Sequence, residues 1–394
     1  MKKILVSLVS DQTIPNILAI CHFCPDSLLF ITTAEMEKRG KTEAILRTLK
    51  SMGMDYEGRF EKIKIQGDSF VGCREGIDQW MRGNEDYEYV VNLTCGTKIM
   101  SLAAFEYFRD YGSLMVYIPI PRNEFILLFP KKTSNKPVSL DVRLSVTQYL
   151  AAYGLKVTNE GKLGGYYREA QTRKALSEWI VTHYEKVKNL LTWLASDKGS
   201  NLRKHRDDRK SFLMEGIFSG ATDEEKQLFK KLGIACVGEM ISKSFDRSEI
   251  RFLTGGWLEE FCLNEVLGLS ENGADDVVIG VELVNKQDRN NEFDVLFTKD
   301  NALYTIECKS LSQKEDRNAD ILYKIGALQK EFGLRARSFL VSTSDNIMKH
   351  GKIDPAVEGR ARQFNTVVIP PAEVIHLRKK LSEYLATANG VLNG

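Results

Sequence analysis

Residues 291–309 carry side chains whose types and spacing suit phosphodiester hydrolysis. Asn291-Glu292-Phe293-Asp294-Val295-Leu296-Phe297 alternates as a strand does. Lys299-Asp300-Asn301 has the composition of a turn, and Leu303-Tyr304-Thr305-Ile306-Glu307-Cys308-Lys309 reads as the next strand. A period of two puts Glu307 and Lys309 on one face, and a hairpin would set Asp294 beside Glu307. Carboxylates at Asp294 and Glu307 are hard oxygen ligands for Mg2+ or Mn2+, with positions left for water and a phosphate oxygen. Such an ion activates water and stabilises charge developing on phosphate. Lys309 is suited to orienting that water or assisting its deprotonation. Upstream, Glu259 shares a helical stripe with Leu263 and Val266, whereas Glu260, with Asn264 at i+4, reads as the more exposed. An inward carboxylate is costly to bury alone, so Glu259 is either a third acidic contributor or half of an ion pair made elsewhere in the fold. By itself, Glu-x-Lys is equally the signature of a surface salt bridge.

A second set of polar residues lies nearer the N-terminus. The apolar run Ile4–Val9 ends in Ser10-Asp11-Gln12-Thr13, and Pro15 then suits the first turn of a helix. Another strand-like run ends in Asn92-Leu93-Thr94-Cys95-Gly96-Thr97-Lys98 and leads directly into a helical pattern. Gly96 permits close backbone approach, and the free amides of a helix start favour an anion. Thr94 and Thr97 add hydroxyls, and Lys98 adds a charge for phosphate. Neither loop is a GxGxxG fingerprint or a P-loop. Gly96 and Thr97 equally make a turn and a helix cap.

The elements that must position these loops alternate over the first 140 residues. Strand-like runs at 4–9, 28–33, 63–65, 89–93 and 114–120 are separated by helical patterns around 35–52, 70–81 and 98–108. Strands apolar throughout and separated by helices imply a parallel sheet covered on both faces, in which ligands bind beyond the carboxyl ends of strands. Pro121-Arg122-Asn123 has turn composition and leads into Phe125–Phe129, an expected antiparallel edge hairpin. The stretch 130–137 has no apolar periodicity and marks a boundary. Residues 141–250 read as mainly helical, with a capping box at Thr222-Asp223-Glu224-Glu225. Residues 198–210, with six Lys and Arg, read as a solvated loop. A helix over 257–267 follows Thr254-Gly255-Gly256. Strands then return at 277–283, 293–297, 303–307 and 338–341, with a helix near 321–332. The expected division is 1–137, 138–250 and 251–394, in an α/β chain.

Its 394 residues, 43% hydrophobic and 27% charged, are those of a globular protein of two or three domains. No apolar run approaches the ~20 residues of a membrane span, and Ile4–Val9 is too short and too soon polar for a signal sequence. Seven cysteines, odd in number and scattered, argue against a disulfide framework. Cys21-x-x-Cys24 has no second pair at zinc-site spacing, and free thiols suit a reducing cytoplasm. The net charge of +2 conceals a contrast. Residues 251–320 carry 7 basic and 15 acidic groups (−8), and 321–394 carry 11 and 6 (+5). An acidic block with the metal-ligand candidates is thus followed by a basic one able to hold a phosphate backbone.

Leu8-Val9-Ser10-Asp11-Gln12-Thr13-Ile14-Pro15-Asn16 and Asn92-Leu93-Thr94-Cys95-Gly96-Thr97-Lys98-Ile99-Met100-Ser101 resemble the two nucleotide-binding motifs of CRISPR-associated Rossmann-fold (CARF) domains. Thr254 to Glu260, Glu292-Phe293-Asp294 and Ile306-Glu307-Cys308-Lys309 resemble the PD-(D/E)xK core of restriction-endonuclease-like nucleases. Their order resembles that of type III CRISPR ancillary nucleases. The resemblance implies an N-terminal Rossmann-like sheet, a helical connecting region and a C-terminal restriction-endonuclease-like α/β domain. It implies a homodimer that binds cyclic tetra-adenylate and then cuts single-stranded RNA, DNA or both with Mn2+ or Mg2+. Ser10, Asp11, Gln12, Thr13, Asn16, Thr94, Cys95, Gly96, Thr97 and Lys98 fall in the ligand motifs. Glu259, Asp294, Glu307 and Lys309 fall in the catalytic motif. Cys95 stands where a second glycine is usual, and Gly326 where the following helix often carries Gln. The competing expectation is a ligand-sensing nucleic-acid-binding regulator without nuclease activity, with residues 141–250 as the reader.

Overall fold

The continuous apolar runs near the N-terminus form the parallel strands β1 (Lys3–Leu8), β2 (Ser27–Thr32), β3 (Phe60–Lys64), β4 (Glu88–Asn92) and β5 (Leu114–Tyr117). The computed structural model describes residues 1–390 except 85, 120–121, 131–135, 198, 207–210, 270–272, 285–289, 311–332 and 334–335. The antiparallel β6 (Glu124–Phe129) and the short β7 (Val138–Ser139) complete the sheet, in the order β3-β2-β1-β4-β5-β6-β7. The helices α1 (Ile14–Phe23), α2 (Ala34–Lys38), α3 (Lys41–Ser51), α4 (Phe70–Met81) and α5 (Lys98–Asp110) cover it. Ile17, Ile45 and Leu49 pack on one face, and Cys73, Ile77 and Ala104 on the other. The helical pattern over 35–52 is interrupted at Gly40, whose φ of +66° suits a residue without Cβ. Strand order reverses between β1 and β4, which makes that crevice the topological switch point.

Residues 141–250 are helical over α6 (Val146–Ala152), α7 (Glu160–Thr172), α8 (Lys174–Thr182), α9 (Tyr184–Ala195) and α10 (Asp223–Leu232), the last with the expected capping box. They differ from the expectation in also holding strands. The two-residue β8 (Lys156–Val157) joins the C-terminal sheet, and β9 (Phe212–Ile217), β10 (Ala235–Val237) and β11 (Met240–Phe245) form an antiparallel sheet. Of β9 only Met214 is buried, so no two-residue apolar alternation shows in the sequence. The basic stretch expected as a loop holds a 3-10 turn over Leu202–His205, anchored by buried Leu202 and by His205 stacked on Phe212.

The C-terminal sheet runs β18-β15-β14-β13-β12-β8, with the meander β12 (Asp276–Val284), β13 (Asn290–Lys299) and β14 (Ala302–Lys309) at its centre. Strands β15 (Arg337–Ser342) and β18 (Thr366–Ile369) lie parallel to β14. Strands β16 (Met348–Lys349) and β17 (Lys352–Ile353) form a small separate pair. The helices α11 (Arg247–Arg251), α12 (Trp257–Leu267), α13 (Pro355–Gln363) and α14 (Leu377–Gly390) flank the sheet. Every residue of α12 from Trp257 to Val266 is buried, as expected of a helix enclosed on all sides. The helix expected near 321–332, and Gly326 within it, lie outside the described residues. Among the described residues no helix is long and apolar enough to cross a membrane.

The two sheets share a core. Leu5, Ile17 and Tyr149 form one apolar cluster with Leu283, Phe293 and Leu296. Asp300 and Asn301, at φ +51° and +56°, make the two-residue turn between β13 and β14. This tip docks against the N-terminal domain. Asn301 Nδ2 donates to Asn123 Oδ1 (2.7 Å) and to the Val142 carbonyl (2.9 Å), and its Oδ1 accepts from the Leu144 amide (2.9 Å).

Candidate functional site

Antiparallel pairing of Val295 with Ile306 places Asp294 opposite Glu307, as the alternating pattern implies. Glu307 and Lys309 share a face, with Lys309 Nζ 3.2 Å from Glu307 Oε1. Asp294 Oδ2 accepts the Cys308 amide at 2.7 Å, which fixes the carboxylate against β14. Glu259 arrives from α12. The chain reaches that helix through a π turn at Phe252–Gly256, in which Gly255 takes φ +142° and a Cβ would meet Ser310 Oγ at 3.0 Å. The Glu259 carboxylate lies 3.6 Å from Arg251 Nη2. Glu260, expected on the exposed side, is instead buried and doubly held by Arg173 Nε at 3.1 and 3.0 Å. Their separation of 87 residues leaves no local trace of the pair.

The electrostatics are those of crowded acids. Burial first, then the charges of Glu307 and Glu259, push Asp294 well above the usual carboxylate range. Burial also raises Glu259, opposed by Arg251. A divalent cation relieves both causes, and Asp294, Glu307 and Glu259 offer it hard oxygens. Their chemistry therefore fits Mg2+ or Mn2+. Among the described residues no three His, Cys, Asp or Glu side chains already stand in metal-ligating array, and Lys309 and Arg251 neutralise two of the acids. For the metal-free protein the sign follows from the raised values. Asp294 and Glu259 favour folding below the ordinary carboxylate range, and that contribution is lost as pH rises through the raised values. Thermal stabilisation by Mn2+ is therefore expected to grow with pH, because the ion binds the deprotonated forms. Melting curves with and without Mn2+ on either side of neutrality check this; a shift equal at both contradicts it.

At the switch point the two polar loops face each other. Thr97 caps α5 by accepting the Met100 amide (3.1 Å), worth about 1 kcal/mol, and Gly96 takes φ +79°. A Cβ at Gly96 would lie 3.0 Å from Leu8 Cβ, a tight approach that adds to the demand φ makes for glycine. Lys98 is exposed on the first turn of α5, and Ser10, Asp11, Gln12 and Thr94 are partly buried. Thr13, Asn16 and Cys95 are buried and support the loops from beneath. Thr13 Oγ1 donates to the Ala152 carbonyl (2.7 Å), Asn16 Nδ2 to Leu8 O (2.9 Å), and Cys95 Sγ to Gln12 O (3.0 Å). Burial pushes the Cys95 thiol up to about 12, so it stays protonated.

Asn92, inside the second motif, and three residues outside both motifs help to build the ligand crevice. Asn92 links the loops by donating to Asn16 Oδ1 (3.0 Å) and accepting from the Thr94 amide (3.1 Å). Arg39 pairs with Asp11 at 2.7 Å, and buried Lys41 lies 3.5 Å from the same carboxylate. Tyr153, just after α6, donates to Gln12 Oε1 at 3.0 Å. The adjacency of β2 to β1 was a usable signal for Arg39 and Lys41; Tyr153 lies 141 residues from Gln12 and had none.

Residues 4–149 match the family model of the Card1 CARF domain, and residues 246–388 match that of the Card1-like endonuclease domain. The chain resembles the crystal structure of VC1899 from Vibrio cholerae at TM-score 0.78 and 19% identity, over 98% of both chains. It resembles Can2 from Sulfobacillus thermosulfidooxidans, solved with cyclic tetra-adenylate, at TM-score 0.73 and 20% identity, over 96% of this chain and 98% of that one. A type III CRISPR defence DNA nuclease activated by cyclic oligoadenylate gives TM-score 0.51 and 18% identity, over 87% of this chain and 45% of the other. Comparison with curated proteins finds no match. The expected order of a ligand-binding domain before a nuclease holds, and the chain belongs to the Card1 type, with a CARF domain followed by an endonuclease domain.

Proposed function

We propose that this protein is an endonuclease of cytoplasmic CRISPR defence, switched on by cyclic tetra-adenylate and dependent on Mg2+ or Mn2+, that cuts single-stranded RNA, DNA or both. One observation carries the reading: a single chain places an anion-suited crevice at the β1/β4 switch point and a crowded Asp294–Glu307–Lys309 set on one face of a second sheet. Can2, which shares this fold, was solved with cyclic tetra-adenylate bound.

At the crevice, the backbone of the Gly96-Thr97 turn at the start of α5 and the Lys98 ammonium receive phosphate, while Ser10, Gln12 and Thr94 supply polar contacts. A two-fold ligand calls for a two-fold receptor, so the working form is an isologous homodimer; sedimentation showing a monomer in the presence of ligand would reject that. Lys98→Ala is expected to raise the ligand concentration needed for activation about tenfold, read by titrating cleavage, and an unchanged midpoint removes Lys98 from the cradle.

At the nuclease site, Asp294 and Glu307 would hold the divalent cation, with Glu259 as a third acidic contributor. When bound, the ion supplies an activated water and stabilises charge on the phosphate. Lys309 donates to Glu307 (3.2 Å), and its ammonium is suited to orienting the attacking water or holding a phosphate oxygen. Incubating the protein with labelled single-stranded RNA, single-stranded DNA and plasmid, with and without cyclic tetra-adenylate and Mn2+, tests the function. Cutting that needs both additions supports it. Nucleic-acid binding without cutting would favour the regulator instead.

A further inference from the structure

Neither family match covers residues 150–245, yet part of that region forms a wall beside the candidate active site. A cleft of about 490 Å³ lies between α7, α11 and the strands β12 and β13. One face of α7 contributes Lys162 and, at i+4, Tyr166. From α11 come Arg247 and, at i+4, Arg251; Arg206 follows the 3-10 turn. Glu282 and Glu292, paired across β12 and β13, also line it.

The cleft adjoins the nuclease site through Arg251, which lines it and lies 3.6 Å from the Glu259 carboxylate. Glu292 and Asp294 are two residues apart on β13 and so share a face, as do Gly280 and Glu282 on β12. The step between them is about 7 Å. Arg251 marks the inner end: its guanidinium lies over the Tyr166 ring at 4.1 Å and 3.6 Å from the Glu259 carboxylate. Gly280, at φ +65°, leaves it room, because a Cβ there would fall 2.4 Å from Arg251 Nη2. Lys162 and Arg247 are exposed at the outer end. Of the lining carboxylates, Glu169 is engaged by Arg173 (3.2 Å) and Ser248 Oγ (2.6 Å), and Glu292 lies 3.9 Å from Arg206 Nη2, an exposed pair that a phosphate can displace.

We propose that this cleft is the track along which the phosphodiester backbone of a single nucleic-acid strand reaches the active site, with Lys162, Arg206 and Arg247 on successive phosphates and Arg251 beside the scissile one. The inference rests on the nuclease reading and gives the connecting region a part in gripping substrate. Phosphate contacts are sequence-independent and salt-sensitive, so the track serves RNA and DNA alike.

The test uses the full chain with cyclic tetra-adenylate and EDTA, so that binding is read without turnover. Anisotropy of fluorescein-labelled oligo(U) and oligo(dT) is followed against salt. The Lys162→Gln/Arg247→Gln double variant, both positions exposed, is expected to bind both strands about tenfold more weakly, with the log–log salt slope shallower by about 1.4. Its thermal melt should match the wild type. Glu292→Gln removes a negative charge from the track and is expected to bind a few-fold more tightly, which a merely structural role would not produce. Wild-type affinity and slope in the double variant, or no wild-type binding to either strand, would overturn the track. Glu307→Gln separates this from the underlying reading: it should bind like the wild type without cutting when Mn2+ is restored. If it cuts normally, the active site is misassigned whatever the cleft does.

Discussion

Glu307→Ala is expected to lower ligand-stimulated cleavage by about three orders of magnitude or more, and Lys309→Ala by a comparable factor, with affinity for cyclic tetra-adenylate unchanged. Glu307 faces both Asp294 and Lys309, so its removal takes away a hard ligand and leaves the Lys309 ammonium without its orienting carboxylate. The two losses belong to one unit, so the double variant should be little worse than either single. Stopped-time assays on labelled single strands with chelexed buffers and defined Mn2+ read the rates, and calorimetry reads ligand affinity. Normal cutting by either variant would remove this set from the chemistry.

Asn301→Ala is expected to cost about 4 kcal/mol of stability and to weaken activation by ligand. The side chain is buried and satisfies the Leu144 amide, the Val142 carbonyl and Asn123 across the domain boundary. Each of the three bonds lost is worth about 1 kcal/mol, and the buried Leu144 amide is left unpaired. Alanine at φ +56° adds about 1 kcal/mol. Asn301→Gly removes that last contribution alone, so it should be the milder of the two. Asn301 also sits at the end of a route from the ligand loops: Gln12 to Tyr153, and Thr13 to Ala152 at the end of α6, whose start is held through Val146 N to Asp276 (2.8 Å). Thermal unfolding and the ligand-dependence of cleavage report the two effects separately. A variant as stable as the wild type would show that the docked tip contributes little.

The candidate nuclease residues were legible because the hairpin is local. Period two aligned Glu307 with Lys309, and the Asp300-Asn301 turn fixed the register that sets Asp294 opposite Glu307. The α/β alternation of the CARF domain was legible for the same reason, since each strand is a continuous apolar run bounded by its own turn. What was not legible depends on distance along the chain. Arg173 meets Glu260 and Tyr153 meets Gln12 only once both domains are folded, and no local pattern encodes either pair. The β9–β11 sheet escaped notice because its strands bury few residues; β10 buries none. Thr13, Asn16 and Cys95 fall in the expected ligand motifs, but the structure gives them supporting bonds beneath the loop and leaves Lys98 to face solvent.

In the proposed function, occupancy of the β1/β4 crevice controls cutting at Glu307, in the other domain. The most direct measurement is the initial rate of cleavage of a labelled single strand, at fixed Mn2+, as cyclic tetra-adenylate is titrated into wild-type protein and into Lys98→Ala. The expected outcome is a rate near zero without ligand, a saturable rise in the wild type, and the same curve displaced to higher ligand concentration in the variant. A rate already maximal without ligand, or two superimposable curves, would contradict it.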